Sequence, residues 1–382
     1  MTIYLDNAAS TCPKPEEVIQ AVDDCLRSAC ANPGRGAHKA AVAAARIIFG
    51  TRQKAAALLG INDSADLVFT QNATDSLNLA LHGYLRSGDH VVTSPVEHNA
   101  VLRPLKSMAA RGVRITFTAA DAAGRVSADD VLGALEPGTR LVVLSHASNV
   151  TGAILPVAEI AARLAERGVP LLVDAAQSAG SLPLKMAELP VGMLACTGHK
   201  GLLGPQGTGL LYIAPEIDLM TVRQGGTGTN AESEQDALGR PDRYESGTYN
   251  TPGIAGLGAA IDFLAAAGVQ NLASHKAALT ARLHEALAKM TGVTVYGPGL
   301  GEPRAPLVSF NIAGMTSAEA AARLDRDYDI ASRAGLHCAP GAHRLMGTLK
   351  TGAVRLSIGP FNTEDEIEEA AAAVRALVSR QP

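Results

Sequence analysis

One pattern governs what this chain can fold into. Short apolar runs recur between amphipathic segments: residues 67–70 (LVFT), 90–94 (HVVTS), 114–118 (RITFT), 141–145 (LVVLS), 171–174 (LLVD) and 193–197 (MLACT). Each has the length and apolar content of a short strand, which predicts buried strands. Between them, Leu77, Ala80, Leu81, Tyr84 and Leu85 share one helical face, as do Val157, Ile160, Ala161 and Leu164. The second of these helices is expected to stop at Gly168, before Pro170 opens the next strand. Strand, crossover helix, strand is the signature of an α/β fold: a large domain with a mainly parallel sheet covered by helices on both faces.

After about residue 255 the pattern changes. A long helical region runs to about Met290 with a break near Gly268. A Gly/Pro loop, a strand (LVSFNI), a helix (SAEAAARLD), a loop holding Cys338, a strand (AVRLSIG) and a last helix (TEDEIEEAAAAVRAL) follow. This reads as a smaller α+β domain. The expected division is residues 14–255 for the large domain and 256–382, with the segment 1–13, for the small one. A chain of 382 residues is long enough for two such units.

Composition excludes several classes. A net charge of −4 excludes a strongly basic nucleic-acid binder. The most apolar long stretch, residues 253–269, is 17 residues with Asp262 inside, and reads as a buried helix rather than a membrane span. Five scattered cysteines make no disulfide framework and suit a reducing compartment. The start, MTIYLDNAAS, lacks the basic and apolar regions of a secretory signal. These features lead us to expect a cytoplasmic protein with neither a nucleic-acid nor a membrane partner. Residues 225–246, rich in Gly, Thr and charge, read as a mobile or interface loop.

Ligands of open α/β sheets sit at the carboxyl ends of the strands. After LVFT, Asn72 can cap a helix with Asp75 three residues on, and the free N–H groups of Ala73 and Thr74 can cradle a phosphate. Alone, the segment is equally an ordinary capped helix. After HVVTS comes Glu97-His98-Asn99, and after LVVLS a polar turn with His146, Ser148, Asn149 and Thr151-Gly152. A lone His at a strand end is usually structural. Asp174 closes a fully apolar strand and needs a cation or a donor if it points inward. Thr197-Gly198-His199-Lys200 follows the last run, and its lysine is either solvated or a Schiff-base lysine. Taken in order, these strand ends supply a phosphate cradle, a stacking group, an acid and a lysine. Pyridoxal 5'-phosphate requires all four.

The chain resembles the fold-type-I pyridoxal phosphate enzymes of the class V aminotransferase superfamily, in the cysteine desulfurase and selenocysteine lyase branch. The motifs that carry the likeness are YLDNAAST, ANPGRGAHKAA, VEHNA, SNVTG, VDAAQSAG, TGHKGLLGPQGTGLLY, ESGTYNTPGIAGL, RAGLHCAP and VRLSIGPFNT. The resemblance implies that Lys200 bonds the cofactor aldehyde, Asp174 the pyridinium N–H and Gln177 the ring hydroxyl oxygen. His98 would stack on the ring and shuttle protons. Ala73, Thr74, Thr197 and His199 would hold the phosphate, and Thr248 would reach the phosphate of a neighbouring subunit in a homodimer. Asn149 and Arg355, with Arg333 nearby, would orient the substrate carboxylate, Arg355 as a bidentate clamp. Relatives often carry Gly-Thr-Thr where this chain has Asn72-Ala73-Thr74, which shifts weight onto Thr197 and Thr248.

Cys338 sits in Arg333-Ala334-Gly335-Leu336-His337-Cys338-Ala339-Pro340, a short Gly/Pro-bounded loop. Cys12, Cys25, Cys30 and Cys196 read as buried small hydrophobes. Cys338 and His343 lack the second pair that a zinc site needs. The resemblance makes Cys338 the nucleophile that takes sulfur from L-cysteine, leaving L-alanine and a persulfide. It also groups the chain with short-loop enzymes that pass sulfur to a dedicated acceptor protein. The alternatives are a selenocysteine lyase acting on L-selenocysteine, another class V lyase or aminotransferase, or a silent cofactor-binding scaffold.

Overall fold

The computed structural model describes residues 2–33, 36–227 and 239–379. The chain opens with β1 (Ile3–Tyr4), α1 (Glu16–Ser28) and α2 (Lys39–Leu59). Next come β2 (Leu67–Thr70), α3 (Ala73–Tyr84), β3 (His90–Thr93), α4 (Asn99–Ala109), β4 (Arg114–Phe117), α5 (Ala128–Gly133), β5 (Thr139–Ser145), α6 (Val157–Ala165), β6 (Leu171–Asp174), β7 (Met193–Thr197) and β8 (Gly209–Ile213). The remainder holds α7 (Thr251–Ala267), α8 (Val269–Ala288), β9 (Val293–Tyr296), β10 (Leu307–Ile312), α9 (Ser317–Tyr328), β11 (Ile330–Ala331), β12 (Arg333–Gly335), α10 (Pro340–Leu345), β13 (Ala353–Ser357) and α11 (Glu364–Ser379).

All six apolar runs form strands of one seven-stranded sheet, in the order β2-β8-β7-β6-β5-β3-β4. Neighbours are parallel except for β8, which is antiparallel to both β2 and β7. Successive side chains of a strand point to opposite faces. Accordingly, Val142 and Leu144 pack with α6 and α7 on one side, while Leu141 and Val143 pack with α3 and α4 on the other. That double burial is why the central runs are apolar; the expected burial fails for β4, which lies at the sheet edge with Arg114 and Phe117 exposed.

A third core lies apart from these two. It joins Leu279, Leu283 and Leu287 of α8, Leu324 of α9 and Val374 of α11 to Val308 and Phe310 of β10 and to Leu5. Its sheet is antiparallel, in the order β12-β13-β10-β9. The N-terminal segment belongs to this half: β1 pairs with β11, and Leu5 accepts the N–H of Ser357 at 2.7 Å.

The apolar stretch around Asp262 is α7, buried along Ile254, Leu257, Ile261 and Leu264. Its glycines let neighbours approach closely; a Cβ on Gly258 would lie 2.5 Å from Thr51 Oγ1 of α2. Among the described residues no single helix is long and apolar enough to cross a membrane, and α7 with α8 qualifies only as a pair bent by 79°. Of the Gly/Thr-rich loop, residues 228–238 lie outside the described residues, as do Gly34 and Arg35 of the ANPGRGAHKAA segment.

Candidate active site

The strand order reverses between β3 and β5, since the chain passes outward to β4 on one side and to β6 and β7 on the other. Crevices form at such switch points, beyond the carboxyl ends of the strands. Here the crevice is a cavity of about 250 Å3 lined by Asn72, Ala73, Thr74, His98, Ser145, Asn149, Asp174, Gln177, Thr197, His199 and Lys200. The structure therefore gathers nine of the expected residues from five strand ends.

Local chemistry sets each group. Asn72 caps α3 by accepting the Asp75 N–H at 3.0 Å, and Asp75 accepts the Gln71 N–H at 3.0 Å. Ala73 and Thr74 are the first two residues of α3, so their N–H groups have no intrahelical acceptor and carry the positive end of the helix dipole. β8 passes so close to this turn that a Cβ on Gly209 would lie 2.7 Å from the Asn72 backbone. On the opposite wall, Thr197 Oγ1 and His199 Nδ1 are buried with no hydrogen-bond partner. Orphaned donors and acceptors are costly unless a ligand satisfies them. Together with the α3 N-terminus they make a cradle for a phosphate.

His98 is the N-cap of α4, and its Nδ1 accepts the Ala100 N–H at 3.0 Å. The proton of the neutral ring is therefore on Nε2. Burial, with Lys200, Arg103 and Arg355 nearby, holds its pKa down to about 4. Asp174 Oδ1 accepts the Ala176 N–H at 2.9 Å, and burial raises its pKa. Lys200 lies beside it; burial lowers the amine to about 8, against the opposing pull of Asp174. A buried carboxylate short of positive charge next to a softened lysine suits a cationic ring N–H and an aldehyde. The donors, acid and amine fit pyridoxal 5'-phosphate.

Cys338 comes from the other half of the molecule. It is exposed, on the turn between β12 and α10, and both His337 (φ 48°) and Cys338 (φ 59°) are left-handed. Such backbone persists only where its surroundings hold it. Asn149 Nδ2 donates to the His337 carbonyl at 2.6 Å, and the Asn99 N–H donates to the Cys338 carbonyl at 2.7 Å. Both donors belong to the cavity wall or adjoin it, so the turn is pinned over the crevice. Behind it, His337 Nδ1 lies 3.4 Å from His343 Nε2, and His343 Nδ1 lies 2.8 Å from Thr348 Oγ1. Burial keeps both rings neutral, with pKa values near 3 and 4.

Several placements depart from the sequence reading. Arg355 is buried, with Nη2 on Asp6 Oδ1 at 2.8 Å and Nη1 on the Asn149 carbonyl at 3.0 Å, leaving Nε without a partner. Its fork is thus partly engaged before any substrate arrives, because a buried guanidinium needs partners. Arg333 is half-exposed, 3.6 Å from the other Asp6 oxygen. Thr248 is not in the main cavity of its own chain; it is exposed and lines a separate cavity with Gln71, Arg223 and Asn250. Cys12 and Cys30 are exposed rather than buried, since neither lies inside a helix or strand; Cys25 and Cys196 are buried.

The sequence reading passed over other groups. Asp6 of YLDNAAST, which holds Arg355, carries no local signal of that role. The same segment braces the lysine turn: Thr11 Oγ1 donates to the Lys200 carbonyl at 2.8 Å, and Gln177 donates to the Ala8 carbonyl at 3.0 Å. Glu97, fully buried, accepts from Ser94 Oγ and from Ser145 N and Oγ, joining the ends of β3 and β5. The only signal for Glu97 was an acid directly beside His98.

Comparison with known proteins gives the family. The aminotransferase class-V family model matches residues 3–369. The chain belongs to the class-V aminotransferase family, in its cysteine desulfurase branch. A probable cysteine desulfurase of Methanothermobacter thermautotrophicus is 35% identical over 376 residues, 96% of this chain and 92% of that one. A cysteine desulfurase of an Enterobacter species is 32% identical over 376 residues, covering 96% and 90%. The apo structure of a cysteine desulfurase from Thermococcus onnurineus superposes with a TM-score of 0.93 at 32% identity, covering all of this chain and 95% of that one. Class-V enzymes of this branch imply pyridoxal phosphate and, as substrate, L-cysteine.

Proposed function

We propose that this class-V enzyme is a cysteine desulfurase that binds pyridoxal 5'-phosphate and takes sulfur from L-cysteine onto Cys338, releasing L-alanine. The observation that carries the reading is the left-handed Cys338 turn, tied by Asn149 and Asn99 to the wall of the cavity that holds Lys200. When bound, the cofactor supplies an electron sink conjugated to the substrate α-carbon.

The chain's own residues do the rest. Ala73 and Thr74 N–H, Thr197 Oγ1 and His199 would hold the phosphate. Asp174 would accept the ring N–H, Gln177 would bind the ring hydroxyl oxygen, and neutral His98 would stack on the ring, with its Nε2–H available as a hydrogen-bond donor. Arg355 and Asn149, with Arg333 at the rim, take the substrate carboxylate. Lys200 removes the α-proton and moves it on. Cys338 Sγ, as thiolate, attacks the substrate sulfur. An S–S bond forms, the C–S bond breaks, and its electron pair stays with the β-carbon, which is then protonated. The net change is L-cysteine plus thiol to L-alanine plus persulfide.

In this reading residues 14–255 carry the cofactor and residues 256–382, with 1–13, carry the cysteine. The exposed Thr248 supports a homodimer in which it serves the partner's phosphate. Five cysteines without a disulfide fit a reducing compartment, and we place the enzyme in the cytoplasm. The test is alanine release from L-cysteine. Wild type is expected to release alanine, and Cys338→Ala to lose at least about a hundredfold in rate. Full alanine release by Cys338→Ala overturns the reading. Wild type inactive on L-cysteine but active on L-selenocysteine would make the enzyme a selenocysteine lyase.

A further inference from the structure

The surface around Cys338 differs in charge from the rest of the chain. Residues 98–120 and 330–363 contain no Asp or Glu, and each segment carries four Lys or Arg. In the whole chain acids outnumber bases, 37 to 33. The fold brings the two segments together: the Asn99 N–H at the start of α4 donates to the Cys338 carbonyl. At the start of α10, Gly341 packs on Pro95 so closely that a Cβ would lie 1.9 Å from the Pro95 carbonyl oxygen.

Part of this charge is paired: Arg114 meets Glu136. Asp6 faces Arg333 and Arg355 and is taken up by them. Arg103 and Lys106 of α4, Arg344 of α10 and Lys350 of the turn before β13 are exposed and make no ion pair among the described residues. Arg103 lies on α4, one turn beyond Asn99, and its charge helps to depress the pKa of His98. Two exposed apolar side chains, Leu336 and Leu349, sit in the same connection between β12 and β13, at 37% and 39% exposure. An exposed thiol whose loop and neighbouring helix carry unpaired cations and two exposed leucines suits a polyanionic surface with an apolar centre.

We propose that this rim docks an acidic sulfur-acceptor protein, one whose receiving thiol is flanked by carboxylates. The inference rests on the desulfurase reading above and names the chemistry of its partner. The acceptor thiolate attacks the outer sulfur of the Cys338 persulfide. The new S–S bond forms on the acceptor, the Cys338 Sγ–S bond breaks, and Cys338 leaves as a thiolate. One persulfide replaces another, with no external oxidant or reductant.

The test uses holoenzyme and two matched peptides, each with one cysteine, flanked by Asp and Glu in one and by Lys in the other. Transfer of radiolabelled sulfur from L-cysteine to each peptide is followed at low and high salt. The acidic peptide is expected to accept sulfur at least about tenfold faster at low salt, with the advantage collapsing at about 0.5 M salt. The double variant Arg344→Glu/Lys350→Glu should erase that preference while first-turnover alanine release is unchanged. Equal rates for the two peptides, a preference indifferent to salt, or one that survives the double variant overturns the proposal. If no persulfide forms on Cys338, the desulfurase reading is what fails. Docking is then read separately from fluorescence anisotropy of the same peptides with Ser in place of Cys. Preferential binding of the acidic peptide, lost in the double variant, supports the rim as an acidic docking surface; equal binding overturns it.

Discussion

Lys200 shows how a single side chain is set by what surrounds it. Its amine is lowered to about 8 by burial, although Asp174 pulls the other way. The neutral, nucleophilic form of a lowered amine grows as pH rises toward its pKa and saturates above it. Uptake of pyridoxal phosphate by the cofactor-free protein should therefore speed up about tenfold per pH unit below pH 8 and level off above it. The growth of the cofactor absorption band after rapid mixing measures this; a rate flat from pH 6 to pH 9 would refute it. At this scale much was legible. The acid, the lysine, the capped turn and the loop cysteine were each visible at a strand end or in a marked loop. Asp6 was not, because its meaning comes from Arg355, which is 349 residues away in sequence and 2.8 Å away in space.

At the scale of elements, α2, β2 and the segment before Thr248 are fastened by a buried ion pair. Arg52 reaches Glu245 through two bonds, Nη1–Oε1 at 2.6 Å and Nη2–Oε2 at 2.8 Å, and also donates to the Leu67 carbonyl. Glu245 accepts from the Phe69 N–H and the Tyr249 hydroxyl as well. Removing one member of such a pair leaves the other charged and buried, at a cost of about 3–5 kcal/mol. Glu245→Gln should lower unfolding stability by that order in chemical denaturation, and the double variant Arg52→Met/Glu245→Leu should cost less than the sum of the two single changes. An unchanged midpoint for Glu245→Gln would show that the pair does not hold these elements.

Element identity followed from apolar runs and helical faces, but strand direction did not. The sequence of β8, GLLYI, reads like any other buried strand, and nothing in it marks its reversed direction. Four short strands, β1, β9, β11 and β12, also escaped. Three of them are two or three residues long, and β9 is only partly buried, so none carries a burial pattern strong enough to read.

At the scale of the whole molecule, Lys276 marks the seam between the two halves. It is 4% exposed, on α8, and lines a narrow cavity with Asn7, Gln177, Ser181, Pro306 and Gly359. Burial alone lowers its pKa to about 8. Below pH 8 the ammonium is charged in both folded and unfolded chains, and the folded state carries the desolvation cost. Between pH 8 and about 10.5 the folded form has already released its proton while the unfolded form has not, so wild-type stability rises across that window. Lys276→Met should therefore stabilise the protein by up to about 3 kcal/mol at neutral pH, with the difference vanishing above about pH 10.5. Thermal unfolding of both proteins across that range measures this, and a variant less stable than wild type at pH 7 would refute it.

The sequence by itself determined the layered α/β plan, because strands buried on two faces must be apolar throughout and crossover helices must be amphipathic. It also determined the chemical kinds at the strand ends, because an inward-facing acid or a lysine between glycines is conspicuous against an apolar background. Only the tertiary structure decided which of these groups meet. The order β2-β8-β7-β6-β5-β3-β4 places the switch between His98 and Asn149, and Asn149 and Asn99 then hold the Cys338 turn over the cavity. Partner choice across such distances depends on sheet order and packing, and pKa values depend on the burial that packing creates. Neither has a local trace in the chain.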